Sequence, residues 1–278
     1  MIRDLPALVR PRLCFLAVVA ALAGYVCFKP VADSGLACAL AGALLLAAGS
    51  GALNQLQERA TDRLMARTAS RPLASGRLGV PQALVFIVTS LCLSLALLAQ
   101  TDISAVAVWA VVLLVYNGLY TPLKRRTPFA ILAGGIAGAM PPLLGWCAAG
   151  GEPSDCRALA LSGMLYLWQV PHFWMLVRRH EGEYRAAGLP VFAGRLWGRS
   201  GFVVSIWLAC YGLSVLLLPA LGLVSTRWLG FVLVGVGASV MSVGLLGGFR
   251  GPSGFQALNA SLLFLLCTLI VDAASRAV

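Results

Sequence analysis

Nine stretches of apolar residues follow one another along this chain, near 13–29, 35–53, 81–99, 103–120, 129–149, 158–177, 201–222, 228–248 and 255–274. Each is about 20 residues long, the length a helix needs to cross the hydrocarbon of a bilayer. Lipid offers the backbone no hydrogen-bond partner, so helices that bond internally are the structure such runs can adopt. The connections are too short for a separate soluble domain, and residues 1–278 are expected to form one all-α unit. That unit is a polytopic membrane bundle of nine helices with enlarged loops at about 54–80 and 178–200. Charged residues make up 11% of the chain and hydrophobic ones 60%, whereas a soluble domain carries about 25% charged residues.

Lysine and arginine set the expected orientation. With a cytoplasmic amino terminus, every Lys and Arg except Lys29, Arg157, Arg227 and Arg276 falls on the cytoplasmic side, and the carboxyl terminus is periplasmic. The net charge of +11 is then mainly a charge of one membrane face and calls for no nucleic acid; the expected surroundings are a lipid bilayer. No cleavable leader is apparent, because the first apolar run starts close to Met1 and is followed by others, which favours a bacterial inner membrane. The eight cysteines lie mostly within the runs and lack metal-binding spacing. Cys147 and Cys156 flank one outer loop, so a disulfide between them is left open.

Chemistry concentrates at the arginine-rich side. Asn54, Glu58 and Asp62 stand four residues apart after the second run, which on a helix puts three oxygen donors on one face. With Arg59, Arg63, Arg67, Arg71 and Arg77 nearby, the pattern suits Mg²⁺ holding a diphosphate. A solvated helix end with Glu–Arg pairs at i,i+4 would use the same residues, and positive-inside loops need no ligand. After the fourth run comes YNGLYTPLKRRT, residues 116–127, with Lys124, Arg125 and Arg126 together. The sixth run holds WQVPHFW, residues 168–174, and leads into RRHEGEYRAAGLPV with His180, Glu181, Glu183 and Tyr184. Gln169, Pro171 and His172 are costly at membrane depth and usually face a cavity or a path, although a satisfied histidine between helices is the plainer reading. Trp168, Phe173 and Trp174 are explained by packing or interfacial anchoring. The Pro141–Pro142 pair is expected to kink the fifth run. LASGRLG after the second run and VFAGRLWG after the sixth share an Ala, Gly, Arg, Leu core, a faint sign of a pseudo-repeat with two acidic clusters.

Residues 54–78, YNGLYTPLKRRT, GAMPPLLGW, WQVPHFW and EYRAAGLPV together resemble the haem O synthases, the protohaem IX farnesyltransferases of the UbiA-type intramembrane prenyltransferase superfamily, over residues from about 10 to 274. The resemblance implies nine helices around a central cavity and two acidic motifs that bind Mg²⁺ and a prenyl diphosphate. It implies farnesyl transfer to a vinyl group of haem b with addition of water, giving haem O for a later enzyme such as a haem A synthase or for terminal oxidase subunits. Carried over residue by residue, Asn54, Glu58, Asp62 and Glu183 are the metal ligands, and Lys124 joins Asn54, Glu58 and Asp62 in catalysis. Arg67, Arg71, Lys124 and Arg125 hold the diphosphate; Trp168, Gln169 and His172 face the haem, with His172 a candidate axial ligand. The second acidic motif departs from the pattern: it reads HEGEY, with Glu183 where the haem-using branch usually has Asp, so Glu181 is an alternative ligand. Three rival readings are a prenyltransferase for a quinone or chlorin precursor, a transporter of anionic solutes, and a non-catalytic oxidase assembly protein.

Overall fold

The computed structural model describes residues 4–191, 201–246 and 251–276, and among them every regular element is helical. Nine long helices carry the architecture: α1 (Pro11–Phe28), α2 (Ser34–Asp62), α3 (Val80–Leu98), α4 (Ile103–Leu123), α5 (Ala130–Ala148), α6 (Cys156–Arg179), α7 (Gly201–Ala220), α8 (Arg227–Leu245) and α9 (Gly251–Ser275). Each packs on the next, and α9 returns to α1, so the bundle closes on itself. Further contacts run across it: α1 on α5, α6 on α9, and α2 on both α4 and α5.

Eight of the nine are long and apolar enough to cross a membrane. The remaining helix, α6, has 24 residues, about 36 Å of rise, but Gln169, His172 and its terminal arginines dilute its apolar character. It stays in the bundle because its buried side, including Leu161, Met164, Leu165 and Trp168, joins the main core. The expected proline kinks do not interrupt the elements: α5 runs on through Pro141 and Pro142, and α6 through Pro171. All eight cysteines are free thiols, so Cys147 and Cys156 are not paired; the first is buried and the second exposed.

The largest departure from the expected boundaries is α2. The apolar run ends near 53, where the enlarged loop is expected to begin; α2 continues past it as one helix of 29 residues to Asp62, which carries the i,i+4 donors on helix as their spacing implies, and Asn54, Glu58 and Asp62 are buried at 3%, 5% and 4% exposure. Beyond it, residues 63–79 form a succession of turns packed on the bundle, with Met65, Leu73 and Ala74 buried. In the second enlarged loop a short helix, Glu181–Ala186, follows α6. The FAGRLWG half of the suggested pseudo-repeat and Arg3, Arg195, Arg199 and Arg250 lie outside the described residues.

Helices α1 and α5 touch backbone to backbone. A Cβ on Gly24 would sit 1.9 Å from the Pro142 carbonyl oxygen, and one on Gly145 would sit 1.9 Å from the Ala21 carbonyl oxygen. Small residues permit such close approach, which matters where lipid supplies no hydrophobic drive between helices. Gly24→Ala or Gly145→Ala should therefore lower the thermal midpoint of the detergent-solubilised protein, at a cost of about 1–3 kcal/mol or more because the obstacle is backbone. Gly163→Ala, with nothing within 4 Å of the added carbon, should leave the midpoint unchanged.

Candidate active site

The carboxylates at the end of α2 are matched by cations that arrive from elsewhere in the chain. Lys124 Nζ donates to Glu58 Oε1 at 3.0 Å and to Oε2 at 3.3 Å. Arg71 Nη1 donates to Asp62 Oδ2 at 2.7 Å. Four residues before Glu58, Asn54 Nδ2 donates to Thr121 Oγ1 at 3.0 Å, and the Thr121 hydroxyl donates to the Tyr116 carbonyl at 2.8 Å. With its own proton committed to a carbonyl, Thr121 can only accept from Asn54, so the amide nitrogen points to Thr121 and Oδ1 makes no hydrogen bond among the described residues.

Local structure in α4 produces this alignment. Residues Leu114–Tyr120 form a π-helical turn, a feature often found at functional sites. There Tyr116 and Tyr120 stack with centroids 5.6 Å apart. Asn117 Nδ2 donates to the Ser50 carbonyl at 3.0 Å and Gln57 Nε2 to the Asn117 carbonyl at 3.1 Å. These bonds lock α4 to α2 one turn before Thr121 and so set the height of Lys124. Burial disfavours the charged form of Lys124, and the fields of Tyr120, Glu58 and Tyr184 more than offset it, holding the ammonium above the ordinary lysine value. Its Nζ also lies 5.7 Å from the centroid of the Tyr184 ring.

The arginines divide by task. Arg59 donates to the Leu56 carbonyl, Arg63 to the Ala74 carbonyl and Arg77 to Asp4 and the Ser70 carbonyl. Arg63 and Arg77 tie down the turns after α2, whereas Arg59 bonds back one turn within α2 itself; of the five, Arg71 is the one hydrogen-bonded to Glu58 or Asp62 among the described residues. Arg125 donates to the Gln57 carbonyl at 2.6 Å. Arg67 is exposed, and its guanidinium makes no hydrogen bond among the described residues; its backbone N–H donates to Glu183 Oε2 at 2.9 Å. Glu183 Oε1 also meets His180 Nδ1 at 3.1 Å. Glu181 is engaged by Arg185 at 2.6 Å in an exposed i,i+4 pair. The two acidic segments thus meet through the Arg67 backbone, while Glu58 and Asp62 keep separate basic partners. Among the described residues no three His, Cys, Asp or Glu side chains converge on a metal position of their own.

Of the residues expected at the haem, Trp168 and His172 lie against α9 and Gln169 against α5. His172 Nδ1 is 2.7 Å from Asn259 Oδ1, and Trp168 Nε1 donates to the Leu258 carbonyl at 2.8 Å. Gln169 packs on Gly138 of α5, where an added Cβ would lie 2.0 Å from its amide nitrogen. Asn259, Thr121 and Asn117 were missed from the sequence. Asn259 carried a signal, since it is an amide in an apolar run and polar groups at membrane depth are seldom idle; Thr121 carried none.

A model of the UbiA prenyltransferase family matches residues 13–265. The chain belongs to that family. It is a multi-pass membrane prenyltransferase, and curated relatives similar to it carry the name protoheme IX farnesyltransferase. The one from Geobacter sulfurreducens is 47% identical over 230 residues, covering 82% of this chain and 84% of the relative. Another, from Oleidesulfovibrio alaskensis, is 36% identical over 275 residues, covering 98% and 97%. Among solved structures, one described as digeranylgeranylglyceryl phosphate synthase superposes with a TM-score of 0.80 at 17% identity, over 99% of each chain. A UbiA homologue from Archaeoglobus fulgidus bound to GPP and Mg²⁺ gives 0.72 at 17% identity, over 98% of this chain and 99% of that one. At such identity these two speak for the fold.

Two expectations follow from the geometry. Breaking one member of a buried ion pair costs about 3–5 kcal/mol because the other charge is stranded. Lys124→Met should therefore lower the thermal midpoint well below that of Arg125→Met, and Glu58→Gln with Lys124→Met should recover most of the loss in a double-mutant cycle. The second concerns Glu183, whose carboxyl is held below the usual range first by the Arg67 N–H, then by His180, against partial desolvation. A depressed carboxylate contributes stability above its unfolded value, about 4.3, and loses it as pH falls through the folded value. Amide-exchange protection at Arg67, corrected for intrinsic rate, should hold at neutral pH and disappear in acid, and Glu183→Gln should remove that pH dependence.

Proposed function

We propose that this prenyltransferase transfers the farnesyl group of farnesyl diphosphate to a vinyl group of haem b, with addition of water, to give haem O. The observation that carries the diphosphate half is the buried face of Asn54, Glu58 and Asp62 with Lys124 and Arg71 in contact with it. The name borne by relatives up to 47% identical supports haem as acceptor, and it favours that reading over a quinone or chlorin precursor and over the transport and assembly alternatives.

The donor set fits Mg²⁺. It supplies hard oxygen ligands only, and Mg²⁺ is usually held by one or two carboxylates together with substrate phosphates and water, without a full protein cage. Asn54 Oδ1, Glu58 and Asp62 would hold it, with Glu183 from the facing segment. When bound, the ion neutralises the diphosphate and makes pyrophosphate a better leaving group. Lys124 and Arg71, released from their carboxylates, turn to phosphate oxygens; Arg67 and Arg125 add charge at the rim. The C–O bond to pyrophosphate breaks, and the apolar bundle shields the allylic cation from water. The vinyl π electrons of haem form the new C–C bond, the positive charge moves to the carbon beside the porphyrin, and water adds there with loss of a proton. Trp168, Phe173 and Trp174 offer ring faces to cationic character. His172 positions the haem as an axial ligand, with Gln169 and Trp168 beside it. The arginine-rich end is cytoplasmic in this reading, the membrane is a bacterial inner membrane, and the product passes to a haem A synthase or a terminal oxidase.

Incubating the purified protein with haem b, farnesyl diphosphate and Mg²⁺ should give a product heavier than haem b by one farnesyl group plus water, and chelation should abolish it. Asp62→Ala should reduce turnover by at least about 100-fold, the scale of losing one group that stabilises developing charge. Appreciable turnover of that variant at saturating Mg²⁺ would remove Asp62 from the ion's site. A mass gain on a quinone or chlorin precursor, with none on haem, would reassign the acceptor.

A further inference from the structure

An asparagine within an apolar helix needs a reason, and Asn259 has one within reach. It lies eight residues into α9, about 12 Å from the helix start, with Leu258, Leu262, Leu265 and Leu266 around it buried in the core. An unpaired amide at such a depth is expensive. Its Oδ1 is 2.7 Å from Nδ1 of His172 on α6. An amide oxygen accepts and cannot donate, so Nδ1 must carry the ring proton. The neutral imidazole is then fixed in the tautomer whose lone pair is on Nε2, and Nε2 makes no hydrogen bond among the described residues.

The ring has little freedom to turn away. Trp168 stacks on it with centroids 4.6 Å apart, Phe255 of α9 lies at 4.9 Å and Phe173 meets it edge-on at 5.6 Å. Trp168 is itself pinned to α9 through the Leu258 carbonyl at 2.8 Å. Two hydrogen bonds and an aromatic contact therefore join α6 to α9 around one imidazole. Along the helix axis His172 stands about 10 Å before the arginine-bearing end of α6, seven residues on at Arg179. Metal-ligating histidines are oriented in this way, with the second ring nitrogen donating to an oxygen that fixes the tautomer and raises basicity.

We propose that Asn259 is a positioning residue for haem, holding His172 as the Nδ1–H tautomer so that Nε2 binds the haem iron. The inference deepens the haem reading above and rests on it. It assigns α9 a part in acceptor binding, through Asn259 and Phe255.

The test uses the full chain in detergent, with haem b alone as probe. In the ferrous state, resonance Raman should show an iron–histidine stretch that is absent from His172→Ala. Asn259→Leu, which removes the acceptor, should move that band to lower frequency and weaken haem binding about 10-fold or more, as loss of an outer-shell partner does. Asn259→Asp keeps an acceptor of greater strength and should move the band to higher frequency while retaining affinity. A bond that merely ties two helices predicts no movement of the band. The inference is overturned if the band survives His172→Ala, or if neither Asn259 variant shifts it; thermal midpoints identify a variant that has failed to fold, and the opposite substitution then decides. Wild-type protein that converts haem yet shows no iron–histidine band sinks the inference and leaves the transferase reading standing. Protein that neither binds nor converts haem removes both.

Discussion

Glu58 and Asp62 are carboxylates with almost no access to water, at the end of a helix that is otherwise built for lipid. A buried charge of this kind is tolerated only when paired and hydrogen-bonded, and the neighbouring structure can be understood as the means of pairing it. The chain after α2 doubles back so that Arg71 reaches Asp62, with Arg63 and Arg77 fastening the intervening turns to carbonyls and to Asp4. The end of α4 is brought against α2 by Asn117 and Gln57 so that Lys124 reaches Glu58. Such a balance of two anions and two cations can be exchanged for that of a magnesium diphosphate, which carries both kinds of charge. Buried ion pairs often add little net stability, so their presence fits a site that exchanges partners better than a device for holding the bundle together.

Helix α6 connects the two halves of the proposed reaction. Its terminal turns lead into the short helix that carries Glu183 against the Arg67 backbone, while Trp168 and His172 lie deeper and face α9. The same helix is the one whose composition is least suited to lipid, because polar side chains at membrane depth must meet partners inside the bundle. The glycine contacts between α1 and α5 hold those two helices together by allowing backbones to touch. Rigid packing there and polar exchange at α2, α4 and α6 are complementary demands on one bundle.

Much of this was legible because lipid narrows the choices. The apolar runs gave the nine helices to within a few residues at most ends, and the i,i+4 spacing of Asn54, Glu58 and Asp62 gave their common face. Where α2 ended was not legible: hydropathy falls at Asn54, yet the helix continues for two more turns because tertiary partners, not lipid, satisfy those side chains. Pro171 likewise sits inside a continuing helix, and the arginines that look alike in sequence separate into Arg71 at a carboxylate and Arg63 at a carbonyl. Thr121 gave no sign of its role, since a threonine that orients an amide across 67 positions looks like any other threonine.

The amino-acid sequence by itself determined the solvent this protein lives in, the helical class, the number of long elements and the inventory of oxygen donors and cations, because all of these depend on composition and local period. Only the tertiary structure decided which cation meets which carboxylate, that the Glu183 segment meets the Arg67 backbone, and that Asn259 holds His172. Those pairings join residues far apart along the chain, and no local pattern encodes the contact that burial makes obligatory once the helices have closed on one another.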